Sequence, residues 1–309
     1  MSNLGNVLVG GGTGFVGSTL CRLLRCKGYG VTIVSRMPGP QRLSWADIEC
    51  SGIPENTTAV VNLAGQNILD PSRRWTPGFK QNVRSSRINT TCALAQAIIR
   101  TTQRPKVFVS ISGVGIYEPS KTAEYTEDCR GGNFDFLSDL AQEWEQAARL
   151  PSHIGVRQVI IRSGVVLGRS GGMIKQVYWP FYLGVGGPVG SGDQFFPWIH
   201  LHDLVRLIVF AIENNEVKGV LNGVAPQVVT NKDFALSFGK AMWRPAFIPV
   251  PEFALNVAFG DERAKIMTEG QKVVPKRVLQ YGFEYRYPDI DSACRECARM
   301  STKEQPVIM

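Results

Sequence analysis

The stretch VLVGGGTGFVG, Val7 to Gly17, decides how the rest of the chain is read. Val7, Leu8 and Val9 form a short apolar run of strand character that ends in glycines. Gly11, Gly14 and Gly17 recur every third residue, and Ser18 to Leu24 then follows helical apolar spacing. Strand, glycine turn and helix in that order form the first unit of a dinucleotide-binding fold. One glycine lets the chain reverse where a side chain would clash. A second lets backbone N–H groups approach a pyrophosphate, and a third lets helix and strand pack closely. The helix N-terminus then turns its partial positive charge toward the phosphates.

Working outward, Gly28-Tyr29-Gly30 breaks the helix, and Val31 to Val34 reads as a second strand ending in Ser35-Arg36. An acidic residue at this strand end would accept from the ribose 2′-hydroxyl of NAD and repel a 2′-phosphate. An arginine pairs with the 2′-phosphate of NADP. Arg36 follows the last glycine at about the ~20-residue spacing of that position, so NADP is the cofactor expected. Ala59 to Gly65 reads as a buried strand ending in NLAG, whose small residues let the backbone lie against an adenine-ribose moiety. A long helical pattern spans Trp75 to Arg100, with Asn82, Arg84 and Arg87 near its start. Lys106 to Ser112 is another strand, followed by Gly113, Gly115 and Tyr117. A helix is expected over Asn133 to Arg149 and a parallel strand over Gln158 to Arg162. Strands and helices alternate to about residue 168, the signature of a doubly wound parallel sheet.

From Gly171 glycine and proline become frequent. Phe195 to His200 leads into a helix expected from Asp203 to Glu213, with Asp203 as its cap and His200 packing near a pocket rim. Phe195, Phe196 and Trp198 read as a packed wall. Gly219 to Val224 is one more strand, and later helices with a hairpin-like piece, Tyr281 to Tyr287, complete the chain. The fold class expected is α/β: a Rossmann-type doubly wound parallel sheet with a small C-terminal α/β substrate lobe. Residues 1–168 would form the NADP-binding core. Residues 169–309 would complete the sheet around 218–224 and form the lobe.

Composition narrows the class. The 309 residues are 44% hydrophobic, enough for a large core, and no apolar run approaches the ~20 residues of a membrane span. The first strand begins within ten residues of Met1, so no cleavable leader is expected ahead of it. A net charge of +8 suits a generally basic soluble protein or, on a sharper reading, attraction of phosphate-bearing ligands. No basic stripe with interleaved aromatics accompanies it, so a nucleic-acid partner is not expected. Seven dispersed cysteines suit reduced thiols inside a cell, cytoplasmic or in the mitochondrial matrix. Cys294 and Cys297 form a CxxC without a second pair or a nearby histidine, so no metal site is expected.

GGTGFVG (Gly11 to Gly17), NLAG (Asn62 to Gly65), SISGVGIY (Ser110 to Tyr117), the RSGVVLG run from Arg162 and the PWIHLHDL run from Pro197 together resemble the extended short-chain dehydrogenase/reductase superfamily. Within it the chain resembles an atypical epimerase family, whose distinctive C-terminal domain is matched by Glu269 to Asp289, with bounds of about 249–296. The resemblance implies NADP contacts at Thr13, Gly14, Phe15 and Val16, with Ser35 and Arg36 on the adenine-side phosphate. Leu63, Ala64, Asn82, Arg87 and Val165 would line the remainder. Active members of the superfamily use Ser or Thr with a Tyr and a Lys four apart on one helix, the lysine lowering the tyrosine pKa. Here Leu137 and Ala141 stand at those two positions. Tyr117 and Lys121 have the spacing, but Pro119 between them opposes a continuous helix. Ser112 and Tyr117 are therefore the candidate catalytic pair. The function expected is an NADP(H)-dependent oxidoreductase or epimerase acting on a small carbonyl or sugar-nucleotide-like substrate. The alternative is a non-catalytic NADP(H)-binding regulatory or scaffold subunit. Related folds pair through two long helices, which leaves a homodimer open.

Overall fold

A computed structural model of the chain describes residues 4–37, 39–70 and 73–299. Its first half alternates β1 (Asn6–Gly10), α1 (Phe15–Cys26), β2 (Gly30–Val34), β3 (Arg42–Leu43), α2 (Trp45–Ser51), β4 (Thr57–Asn62), α3 (Pro77–Arg100), β5 (Val107–Gly113), β6 (Glu124–Tyr125), α4 (Phe136–Ala147) and β7 (Arg157–Ser163). There follow β8 (Val165–Leu167), α5 (Gly172–Tyr182), β9 (Trp198–His200), α6 (Leu201–Glu213), β10 (Gly219–Gly223) and α7 (Asn231–Ala241). The last elements are α8 (Glu252–Phe259), α9 (Asp261–Thr268), β11 (Lys272–Val273), α10 (Lys276–Gln280) and α11 (Ile290–Ala298).

Seven parallel strands lie in the order β10-β7-β5-β4-β1-β2-β3, a Rossmann-type doubly wound sheet. Alternation along β1 sends Val7 and Val9 to one face and Leu8 to the other. The first face packs on Leu20, Leu23 and Leu24 of α1 and on Leu204, Val205 and Ile208 of α6. The second packs on Ile48, Leu94 and Ile98, from α2 and α3. Strand order reverses beside β1, so the loops after β1, β2 and β4 open together at the carboxyl edge, where ligands of such sheets bind.

Beyond the sheet, β8 pairs with β9 and β6 with β11. A separate aromatic core joins Phe181, Phe196, Trp198, Phe234, Phe238 and Tyr287 with Cys294 and Cys297. Burial pushes both thiols up, Cys297 to about 12, so they are inert packing groups at neutral pH.

Two expectations about α6 and its surroundings are corrected. The helix starts at Leu201, and its N-cap is His200, whose Nδ1 accepts from the His202 N–H at 3.2 Å. Asp203 does not cap. Its carboxylate accepts the backbone N–H groups of Arg286 and Tyr287, both at 2.8 Å. Residues 281–287 form no hairpin: two of their N–H groups bond to a buried carboxylate where a strand partner would otherwise be needed. Among the described residues no helix is long and apolar enough to cross a membrane.

His200 gives a pH prediction. It is buried beside His202, Arg286 and the Tyr287 ring, and desolvation holds its pKa well below 6.5. The unfolded chain then binds the extra proton as pH falls below about 6.5, so acidification costs stability there, at up to ~1.4 kcal/mol per pH unit. His200→Asn keeps an N-cap acceptor and removes the titration. The urea midpoint of the variant should fall less than the parent's between pH 7.5 and pH 5.5.

Candidate cofactor and active site

Gly11 sits at φ +75°, and its N–H donates to Val34 O at 3.0 Å, tying the loop to β2. The turn closes with Gly14 N–H donating to Gly11 O at 3.0 Å. Gly17 lies so close behind it that a Cβ there would stand 2.2 Å from Gly11 O. Gly14, the N-cap of α1, is exposed, and a Cβ there would press on Gly11 O alone, at 3.3 Å. No side chain caps α1 and no acidic residue occupies its first turn, so the N–H groups ahead of Ser18, which itself donates to Gly14 O, are left for an outside acceptor. Thr13 and Gly14 are exposed, and Val16 is half-buried. The Phe15 ring turns away from this mouth and packs on Gly168, Gly171 and Gly172, where any Cβ would strike it. Its backbone, not its ring, is left at the mouth.

Ser35 follows β2, buried, with its hydroxyl 3.5 Å from that of Thr13 and accepting the Met37 N–H. Arg36 is exposed next to it and has no ion-pair partner among the described residues. On the other side of β1, Leu63 N–H donates to Gly10 O and Ala64 N–H to Asn62 Oδ1. Asn62 is fully buried and donates to Thr91, which also receives Trp144 Nε1. This bolts NLAG to α3 and α4. Arg87 lies against Gly65 and the Trp144 ring, 8% exposed, with its Nε unpartnered. Burial alone, with no carboxylate offsetting it, pushes its pKa down to about 10. Asn82 is exposed, one turn before Ser86, whose hydroxyl accepts the Gln66 N–H. Arg84 is directed elsewhere, into an ion pair with Glu143. Val165 opens β8, its N–H donating to Pro197 O.

Ser112 lies near the end of β5 with a buried hydroxyl that has no partner among the described residues. Tyr117 differs. It has no exposed surface, and its ring stacks on Tyr125 at 5.0 Å. Its hydroxyl accepts from Arg162 at 2.8 Å and lies 2.9 Å from Asn222 Oδ1 and 3.1 Å from Thr126 O. The two residues are thus not brought to one surface. Arg162 in turn makes a two-pronged pair with Glu145 at 2.7 and 2.9 Å, and the Asn222 backbone N–H donates to the Glu127 carboxylate at 3.0 Å. Sequence reading missed this network because Arg162 is 17 residues from Glu145 and 45 from Tyr117, and Asn222 is 95 from Glu127 and 105 from Tyr117. On α4, Leu137 packs toward Gly115 and Ala141 is buried, so that helix offers no proton relay at those positions.

A glycine cradle, an uncapped helix and two arginines without carboxylates define a nicotinamide-dinucleotide fold of the extended short-chain reductase type. Residues 7–222 match the NAD dependent epimerase/dehydratase family and residues 250–297 match a domain of unknown function, DUF1731. The chain belongs to that epimerase/dehydratase family. It is 53% identical over 291 residues to Epimerase family protein SDR39U1 of Bos taurus, covering 94% of this chain and 98% of that protein. It is 38% identical to the SDR39U1 homolog, chloroplastic, of Arabidopsis thaliana, covering 94% and 85%. The crystal structure of human SDR39U1 with NADPH superposes with a TM-score of 0.93 at 52% identity, covering 95% of this chain and 99% of that one.

Proposed function

We propose that the chain binds NADP(H) along the carboxyl edge of the sheet and acts as an oxidoreductase or epimerase on a small carbonyl or sugar-nucleotide-like substrate. The observation that carries the reading is an uncapped α1 N-terminus at a sheet edge that also carries Arg36 after β2 and Arg87 against Gly65, neither paired with a carboxylate among the described residues. Phosphates are the groups that such a site satisfies. The NADPH in the human relative's crystal supports the choice of dinucleotide. Arg36 would hold the 2′-phosphate, the α1 N–H groups the pyrophosphate, and Leu63 and Ala64 the adenine side. When bound, the nicotinamide gives or takes a hydride.

Ser112 is the group placed to touch substrate, because its buried hydroxyl is free to donate to a substrate oxygen. Tyr117 serves as a positioning residue that fixes the turn after β5. Seven unpaired cysteines support a reducing compartment, the cytosol or the mitochondrial matrix. The second reading, a cofactor-loaded regulatory subunit, is favoured by one observation: Leu137 and Ala141 leave α4 without an acid or base at the two relay positions.

Turnover separates the two readings. Across a panel of aldehydes, ketones and sugar nucleotides, loss of NADPH fluorescence, or for redox-neutral epimerisation the appearance of an epimer by chromatography in the presence of NADP⁺, should reveal at least one substrate turned over. Ser112→Ala should then cut that rate by ~100-fold or more while NADPH affinity stays within about twofold. Tight NADP(H) binding with neither net NADPH oxidation nor epimer interconversion across the panel makes the protein a regulatory subunit.

A further inference from the structure

One buried cation has no part in the cofactor site. Arg263, in the first turn of α9, is 3% exposed. Its Nη1 donates to Arg73 O at 2.9 Å, and its guanidinium lies 5.0 Å from the Phe259 ring. The other edge of the guanidinium, Nε with Nη2, has no hydrogen-bond partner among the described residues, and Nε is shielded from water. Arg162 uses that same edge to grip both oxygens of Glu145. Burial pushes the Arg263 pKa down, and the charge of Asp70 offsets this only in part. A buried guanidinium with an open two-donor edge is costly until an oxyanion fills it.

Arg263 lines a cleft of about 690 Å³, within the size range of small-molecule sites. Arg73, Arg74 and Trp75 line it from the chain that runs from NLAG to α3, and Val257 and Phe259 line it from α8. Its three arginines face two carboxylates, Asp261 and Glu262. Lys80, paired with Glu262, and Asp70, whose charge acts on Arg263, cancel each other and leave a surplus of one positive charge. That balance suits a monoanion better than a phosphate dianion. The planar two-donor edge of Arg263 matches the two oxygens of a carboxylate, and the Trp75 and Phe259 rings suit an apolar body behind it.

The cleft is joined to the substrate side of the sheet. The chain leaving NLAG follows the carboxyl edge, where Gln176 of α5 donates to Leu69 O at 3.1 Å. Beyond the C-terminal end of α9 the chain is fastened to the turn after β5: Gly270 O accepts the Ser120 N–H, and Gln271 Nε2 donates to Tyr117 O. The eight residues of α9, ~12 Å in length, thus bridge the cleft and the strand end that carries Ser112. Resting on the reading of Ser112 as the group that touches substrate, we propose that the free edge of Arg263 holds a carboxylate of the substrate. The substrate is then an elongated oxo acid, its carbonyl toward Ser112 and its carboxylate in the cleft between residues 73–76 and α9.

Calorimetric titration of the NADP⁺-loaded full chain tests this without needing turnover. Oxo acids from 5-oxopentanoate to 9-oxononanoate should bind, and the methyl ester of the tightest should bind at least ~30-fold more weakly. This comparison is made on the parent, so it stands even where a variant unfolds. Arg263→Gln should lose the same factor for the acid while keeping the ester and NADPH affinities within about twofold, with urea denaturation as the check of fold. Arg263→Lys keeps the charge without the two-donor edge and should recover only part of the loss. An ester bound as tightly as its acid overturns the proposal, as does an Arg263→Gln protein with parental affinity for the acid. Hexyl phosphate bound ahead of every oxo acid overturns it in favour of a phosphorylated substrate. A parent that binds NADPH but none of the oxo acids removes this proposal alone, whereas a parent that binds neither removes the cofactor reading beneath it as well.

Discussion

Gly17→Ala should lower NADPH affinity by ~1,000-fold, although alanine is the better helix former. Helix propensity alone would favour the substitution by about 1 kcal/mol. The loss is steric: the new Cβ would stand 2.2 Å from Gly11 O and 2.8 Å from Gly12 Cα, both backbone atoms that cannot swing aside. The turn must move, breaking the Gly14 N–H to Gly11 O bond and displacing the N–H groups that meet the pyrophosphate. Gly14→Ala separates the two effects. Its Cβ would press only on Gly11 O, at 3.3 Å, which a shift of a few tenths of an ångström relieves, so the fold should lose under ~1 kcal/mol while the methyl would intrude on the position assigned to the pyrophosphate. NADPH fluorescence titration beside chemical denaturation reads both. Gly17→Ala protein that binds NADPH as the parent does would mean that the three glycines do not cradle the dinucleotide.

Arg162→Met should cost ~3–5 kcal/mol of stability, because it leaves the Glu145 carboxylate buried without its cation. The Arg162 side chain is 7% exposed and that of Glu145 14%, so solvent does not screen the pair. The same guanidinium donates to the Tyr117 hydroxyl and lies 5.1 Å from its ring. Burial opposes the Arg162 charge, but the Glu145 carboxylate outweighs it and holds the arginine firmly protonated. Replacing both partners, Arg162→Met with Glu145→Leu, should recover most of the loss, since no lone charge remains. Urea denaturation of the two variants checks this. A single-variant loss under ~1 kcal/mol would class the pair with exposed ion pairs.

The sheet is legible in the sequence because its signals are local. Apolar runs such as Val7 to Val9 and Ala59 to Val61 end in glycines or small residues, and the order of strands and helices follows from them. The glycine cradle is legible for the same reason: Gly14 and Gly17 answer to Gly11 across a single turn, although Gly11 itself is also pressed by the distant Leu63-Ala64 backbone, which a Cβ would approach to 2.8 Å. What stays hidden depends on long-range partners. Nothing around Tyr117 announces that Arg162 and Asn222 will close over it, so a buried structural tyrosine reads like an accessible one. Asp203 sits where a helix cap belongs, yet it bonds to backbone 83 and 84 residues away. The two-residue strands β6 and β11 are too short to carry a period.

Whether this sheet edge holds NADP(H) is decided by fluorescence titration of the parent and of Arg36→Asp with NADPH and NADH. The parent should bind NADPH well ahead of NADH. Arg36→Asp should weaken NADPH by ~100-fold, since it removes the cation facing the 2′-phosphate and puts a like charge there, and should leave NADH equal or better. A parent that binds neither nucleotide, or an Arg36→Asp protein that still prefers NADPH, would contradict the assignment of Arg36 and the α1 N-terminus to the dinucleotide phosphates.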